Sequence, residues 1–160
     1  MSRTLFASFL LLFPILAACD EEDPPGELTV ELGTGEVAFE PLADGTTLPL
    51  VAGPQGGHHV WLGLRVTGMS GTRANLTVEP IPLTTGEPPP RAAPVRITMT
   101  ELPDGTHEYF GWPAQLSDPG CLVGEQVVMR VTLEDTRGSV GSDERTIVIG
   151  DGTSVAPCAE

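Results

Sequence analysis

From Leu28 onward the chain alternates short runs of apolar and polar positions, broken by Gly, Pro, Asp and Thr. No window of about 11 residues sustains a helical period, so strands are expected throughout. The clearest alternation runs from His58 to Thr67. Val60, Leu62, Leu64 and Val66 share one face, and His59, Trp61, Arg65 and Thr67 share the other. A second strand is expected over Gln126–Leu133, with Val127, Met129, Val131 and Leu133 inward. A third, Glu144–Ile149, carries Ile147 and Ile149 and follows the turn Asp135-Thr136-Arg137-Gly138. Weaker patterns fall at Leu28–Leu32, Glu36–Glu40, Thr47–Val51, Ala74–Glu79, Val95–Glu101 and His107–Phe110. About seven to nine short strands at this spacing predict an all-β, antiparallel sandwich or barrel. Gly53-Pro54-Gln55-Gly56-Gly57 reads as a turn feeding the best strand. Glu79–Pro94 holds six prolines and is expected to be an extended loop outside the sheet.

The first residues follow a different pattern. Arg3 is the only charged side chain before Asp20, and it leads into a mainly apolar segment from Leu5 to Ala18. Its 14 residues fall short of the roughly 20 that a membrane-crossing helix needs, and Pro14 interrupts it. The segment closes on Leu16-Ala17-Ala18-Cys19, which resembles the lipobox of bacterial lipoproteins. That resemblance implies removal of residues 1–18 as a signal peptide and lipidation of Cys19, with membrane lipid as the first partner. An ordinary secretory signal with Cys at the cut is the alternative. Two or three acyl chains, at about 0.8 kcal/mol per buried methylene, would hold a small domain on a membrane without exchange. Cys19–Glu27, reading CDEEDPPGE, is expected to be an acidic tether, and residues 28–160 the folded domain.

Composition narrows the partners. The 142 residues from Cys19 to Glu160 suffice for one domain with its own core. They keep seven arginines against 22 acidic residues, a formal charge of −15, and the chain has no lysine. Such a surface repels phosphate backbones, which argues against nucleic acid as a partner. With Cys19 assigned to the lipid, Cys121 and Cys158 remain as a pair for a disulfide in an oxidising compartment. Metal ligation is the rival reading, although neither cysteine has a CxxC or a nearby His.

The segment Gly124–Gly150, GEQVVMRVTLEDTRGSVGSDERTIVIG, resembles the last two strands of bacterial Ig-like and PKD-like domains. Gly53–Gly68, GPQGGHHVWLGLRVTG, is similar to segments of lipoproteins of myxobacterial type. The resemblance implies a single Ig-like β-sandwich and brings no activity with it. The cysteines depart from the antibody pattern, in which facing strands are bridged. Here the pair is expected to fasten the C-terminal tail to one end of the sandwich.

Candidate chemistry is sparse. His58-His59 is an imidazole pair of the kind that binds copper or zinc, with His107 a third candidate ligand. Adjacent strand residues face opposite ways, however, so a strand-entry role is expected and no metal site is assigned. Glu134-Asp135 and Asp143-Glu144 flank one hairpin, where weak calcium binding competes with a solvated acidic edge. No GxSxG, HExxH or phosphate-cradling Gly-rich loop is present. Beyond residue 18 the aromatics are Phe39, Trp61, Tyr109, Phe110 and Trp112. Most are expected in the core, with some available as a glycan or peptide platform. The sequence thus leads to a lipid-anchored cell-envelope binding or structural module, without catalysis or cofactor, whose partner is an envelope protein or glycan. The alternative is a metal-handling envelope lipoprotein.

Overall fold

The computed structural model describes residues 27–87, 92–152 and 155–158. Residues 1–26, which include Cys19, the signal segment and most of the expected tether, lie outside them. Among the described residues eleven strands form two packed sheets: β1 (Thr29–Thr34), β2 (Glu40–Pro41), β3 (Thr46–Pro49), β4 (Val51–Ala52), β5 (His58–Thr67), β6 (Arg73–Pro82), β7 (Val95–Thr98), β8 (Thr100–Glu101), β9 (His107–Gln115), β10 (Gln126–Asp135) and β11 (Val140–Gly150). One sheet runs β2-β1-β5-β9-β8 with β4 beside β5, and the other runs β3-β11-β10-β6-β7.

The expected alternation places the core. Val60, Leu62, Leu64 and Val66 of β5 meet Val127, Met129, Val131 and Leu133 of β10, and all eight are at most 1% exposed. Ile147 and Ile149 join them from β11. Between β10 and β11, Asp135 sits under its own turn. It accepts hydrogen bonds from the backbone N–H groups of Arg137 (2.9 Å), Ser139 (2.9 Å) and Ser70 (3.0 Å).

The strand count exceeds the expected seven to nine because two predicted strands change sheets midway. Thr47–Val51 divides at buried Leu50 into β3 and β4. Val95–Glu101 divides at buried Met99 into β7 and β8. Each break lets one continuous stretch close a corner of the sandwich, as strands that turn between packed sheets do.

Three further expectations are corrected. The sandwich is not wholly antiparallel, since β3 pairs parallel to β11. Glu36–Glu40 is largely a bend that crosses the outside of the first sheet, and only Glu40 is paired, in β2. Glu27, the last residue of the expected tether, forms a parallel bridge to Val140. Glu79–Pro82 belongs to β6 and not to the expected loop, paired with β10 through Val127–Arg130.

Candidate functional site

Among the described residues no strand covers one side of the sandwich, where Thr84, Thr85, Glu87, Ala92 and Ala93 line a groove. The switching segment β7–β8 covers β6 only over Arg73–Leu76 and β9 only over His107–Glu108. Beyond it the far halves of β6 and β9 diverge around a groove of about 1110 Å³. Val78, Pro80 and Pro82 form one wall, and Trp112, Ala114 and Leu116 the other. Register puts these side chains on the inner faces, since Val78 pairs with core Val131 and Trp112 with core Leu62. Val78 and Trp112 are only half-buried because the opposite sheet does not reach them. Trp112 also tilts against Tyr109, with ring centroids 6.3 Å apart.

Hydrogen-bond parity explains the prolines on this rim. Leu83 N–H donates to Gln126 C=O (3.0 Å) and continues the β6–β10 register, so odd-numbered β6 residues turn their backbone groups toward β10. Val78, Pro80 and Pro82 therefore face the open edge. On β9, Leu116 N–H donates to His58 C=O (3.1 Å), which by the same alternation turns Pro113 and Gln115 outward. Pro80, Pro82 and Pro113 thus stand where a strand would otherwise expose an N–H, which is how Pro is tolerated in an edge strand. The sequence signal for this was Glu79-Pro80-Ile81-Pro82, with prolines at period two inside an alternating run.

Among the described lining residues the ionisable ones are Glu87 and Asp118, both exposed. Cys121 and Cys158, with Cα atoms 4.5 Å apart, form a disulfide-distance pair just below. They join the C-terminal tail to the short 3-10 turn Pro119–Cys121, at the end of the sandwich where the sequence reading expected the pair. His58 shares a recess of about 300 Å³ with this pair.

The histidines are not brought together. His59 lies opposite Gln115 and His107 opposite Val66, at the two ends of the β5–β9 ladder. At about 3.3 Å per residue, seven positions separate them by roughly 23 Å. His59 is buried on the outer face, edge-on to Trp61 with centroids 4.4 Å apart. Burial lowers its pKa below the ordinary value, the carboxylate of Glu36 opposes that shift, and His58 adds to it. Both nitrogens of His107, and Nε2 of His58 and His59, are buried without a hydrogen-bond partner among the described residues.

The acidic hairpin is occupied by its own structure. Asp143 accepts from Leu32 N–H (2.8 Å), Glu144 N–H (2.9 Å) and Arg145 Nη1 (2.7 Å), and Glu144 pairs with Arg130 at 3.0 Å. Burial works against ionisation of Asp135, but its three backbone N–H bonds outweigh that and hold its pKa below the ordinary carboxylate value. Among the described residues no group of three or more His, Cys, Asp or Glu is placed to hold a metal ion.

The aromatics correct the sequence reading, because none of the five is fully buried. Tyr109 and Trp112 border the core, Trp61 lies outside it, and Phe110 is 39% exposed. Phe39 lies on the outer face of the first sheet, its ring centroid 4.3 Å from the guanidinium carbon of Arg65. Arg65 in turn binds Glu108 at 2.8 Å and Glu31 at 3.6 Å.

No protein-family model and no curated protein matches this chain. Among the described residues, no helix is long and apolar enough to cross a membrane.

Proposed function

We propose that the chain is a lipid-anchored, non-catalytic binding module of the bacterial cell envelope. It is attached through Cys19 and presents the β6–β9 groove to a partner. The observation that carries the binding role is the groove itself. A sandwich built only for support would close over Val78 and Trp112, whereas here two apolar strand faces stand half-uncovered beside blocked edges. The anchor is supported by Leu16-Ala17-Ala18-Cys19 and the acidic stretch that follows. The distance between His59 and His107 gives the metal-handling alternative no such support.

Two experiments test the two halves. Cys19→Ala should abolish incorporation of a fatty-acid analogue, and unchanged labelling would refute the anchor. For the groove, a photo-cross-linking amino acid is placed at Val78, and at Thr132 on the outer face of the same sheet as control. Discrete adducts are expected in living cells from Val78 alone. If Val78 yields no adduct beyond those of Thr132, the groove is not a binding element.

A further inference from the structure

We propose that the groove takes the Arg or Lys side chain of a partner polypeptide, carried on an extended apolar segment that docks without adding a strand to either sheet. This rests on the groove being the binding element.

The first argument is backbone chemistry. A partner strand laid along β6 or β9 would need N–H donors for its own carbonyls, and Pro80, Pro82 and Pro113 remove three of the five outward ones, leaving those of Val78 and Gln115. The outward positions keep their carbonyls, and that of Pro82 already accepts from Thr85 and Gly86. A rim rich in acceptors and poor in donors disfavours backbone pairing. It suits groups that donate without accepting, which among side chains means Arg and Lys above all.

Charge is the second argument. Glu87 and Asp118 supply negative charge at the groove, no cationic side chain is found among the described lining residues, and the whole chain carries −14. An anionic ligand would meet no described counter-charge there. A guanidinium meets two carboxylates and the half-exposed indole of Trp112, over which a cation is attracted by the ring quadrupole.

Shape is the third. A volume of about 1110 Å³ lies just above that of ordinary small-molecule pockets, and its lining follows β6 from Leu76 to Pro82 and β9 from Trp112 to Gln115. That accommodates several consecutive side chains better than one compact metabolite.

The test uses the full-length protein and fluorescein-labelled nonapeptides of alternating Leu and Arg. Parallel peptides carry Glu or the neutral isostere citrulline in place of Arg, and a fourth is the Arg peptide with its Leu nitrogens methylated. The Arg peptide should bind at least about tenfold more tightly than the citrulline and Glu peptides, and raised salt should weaken it. Glu87→Gln with Asp118→Asn, both exposed positions, should remove that preference, and Trp112→Ala should weaken binding. N-methylation, which prevents strand pairing, should be tolerated within about threefold. Arg91 lies outside the described residues, and Arg91→Gln should leave the preference for Arg over citrulline intact.

Equal binding of the Arg and citrulline peptides overturns the proposal. So do an unchanged preference in the double variant, loss of the preference in Arg91→Gln, and loss of binding on N-methylation. Binding of a neutral hexasaccharide with no peptide binding would assign the groove to glycan instead. If cross-links form at Val78 while every peptide fails, the ligand class is wrong and the binding module stands. If the cross-links fail as well, the module reading falls with it.

Discussion

The ring of Phe39 lies over Gly63, its Cδ2 3.3 Å from the place a Cβ on that glycine would take. The same ring covers Gly33 on the neighbouring strand, so two paired glycines make the flat seat on which Phe39 rests. An aromatic laid across glycines in this way restores packing that the missing side chains forgo. It also fixes the bend that carries the chain from β1 across the sheet, where Gly111 N–H donates to Gly35 C=O at 2.9 Å.

Gly63→Ala should destabilise the fold by about 1–3 kcal/mol, because its methyl meets both Phe39 and the carbonyl of Thr34, 2.8 Å away. Adding Phe39→Ala should not restore stability, since the Thr34 carbonyl is backbone and cannot withdraw. Urea unfolding midpoints of the single and double variants check this, and full recovery in the double variant would contradict it.

Pro80→Val combined with Pro113→Val should return outward N–H donors to both rims of the groove. The expected result is self-association through the restored edges, with little change in monomer stability. Sedimentation velocity over a range of concentrations reads the outcome. A variant that stays monomeric throughout would mean that these prolines do not guard the edges.

Leu64→Ala, in the central strand and 1% exposed, should cost about 2–5 kcal/mol as large-to-small core changes do. Arg130→Ala removes an exposed pair with Glu144 and should cost no more than about 1 kcal/mol. Similar losses in both variants would place the stability of the domain elsewhere.

His59 has a pKa below the ordinary 6.5, so the unfolded chain binds its proton first. Its contribution is therefore complete above that value and declines as pH falls through it, levelling off below the folded value. Burial is the main cause of the effect, with Glu36 opposing it and His58 adding to it. His59→Gln should flatten this part of the stability profile. Asp135 acts lower on the scale, its support present above the carboxylate range and lost as pH falls through its depressed value. Thermal melts of wild type and His59→Gln between neutral and mildly acid pH are decisive, and identical slopes would contradict the assignment.

Cys121 and Cys158 are 37 residues apart, a loop whose closure gives about 4 kcal/mol on the chain-entropy account. Replacing both with Ser should lower the melting temperature yet leave the sheets formed, because the bridge holds the tail at one end of the sandwich. Loss of cooperative folding in that variant would show that the tail completes the core.

The strands β5 and β10 and their buried faces were legible from the sequence, because period-two alternation is a local property that burial on one face imposes directly. His58–Thr67 and Gln126–Leu133 carried that signal without ambiguity, and Val60 through Val66 and Val127 through Leu133 are buried accordingly. The Cys121–Cys158 pairing was legible by elimination once Cys19 was set aside. Tertiary structure alone decided which strands change sheets, because Leu50 and Met99 look like ordinary strand residues until two sheets compete for them. It also decided that Phe39 and Trp61 lie outside the core and that Trp112 borders a groove, since an aromatic's burial depends on what packs above it. The meaning of Pro80, Pro82 and Pro113 was out of reach for the same reason. A proline records that its residue donates no hydrogen bond, but only the pairing of neighbouring strands shows which way the missing donor would have pointed.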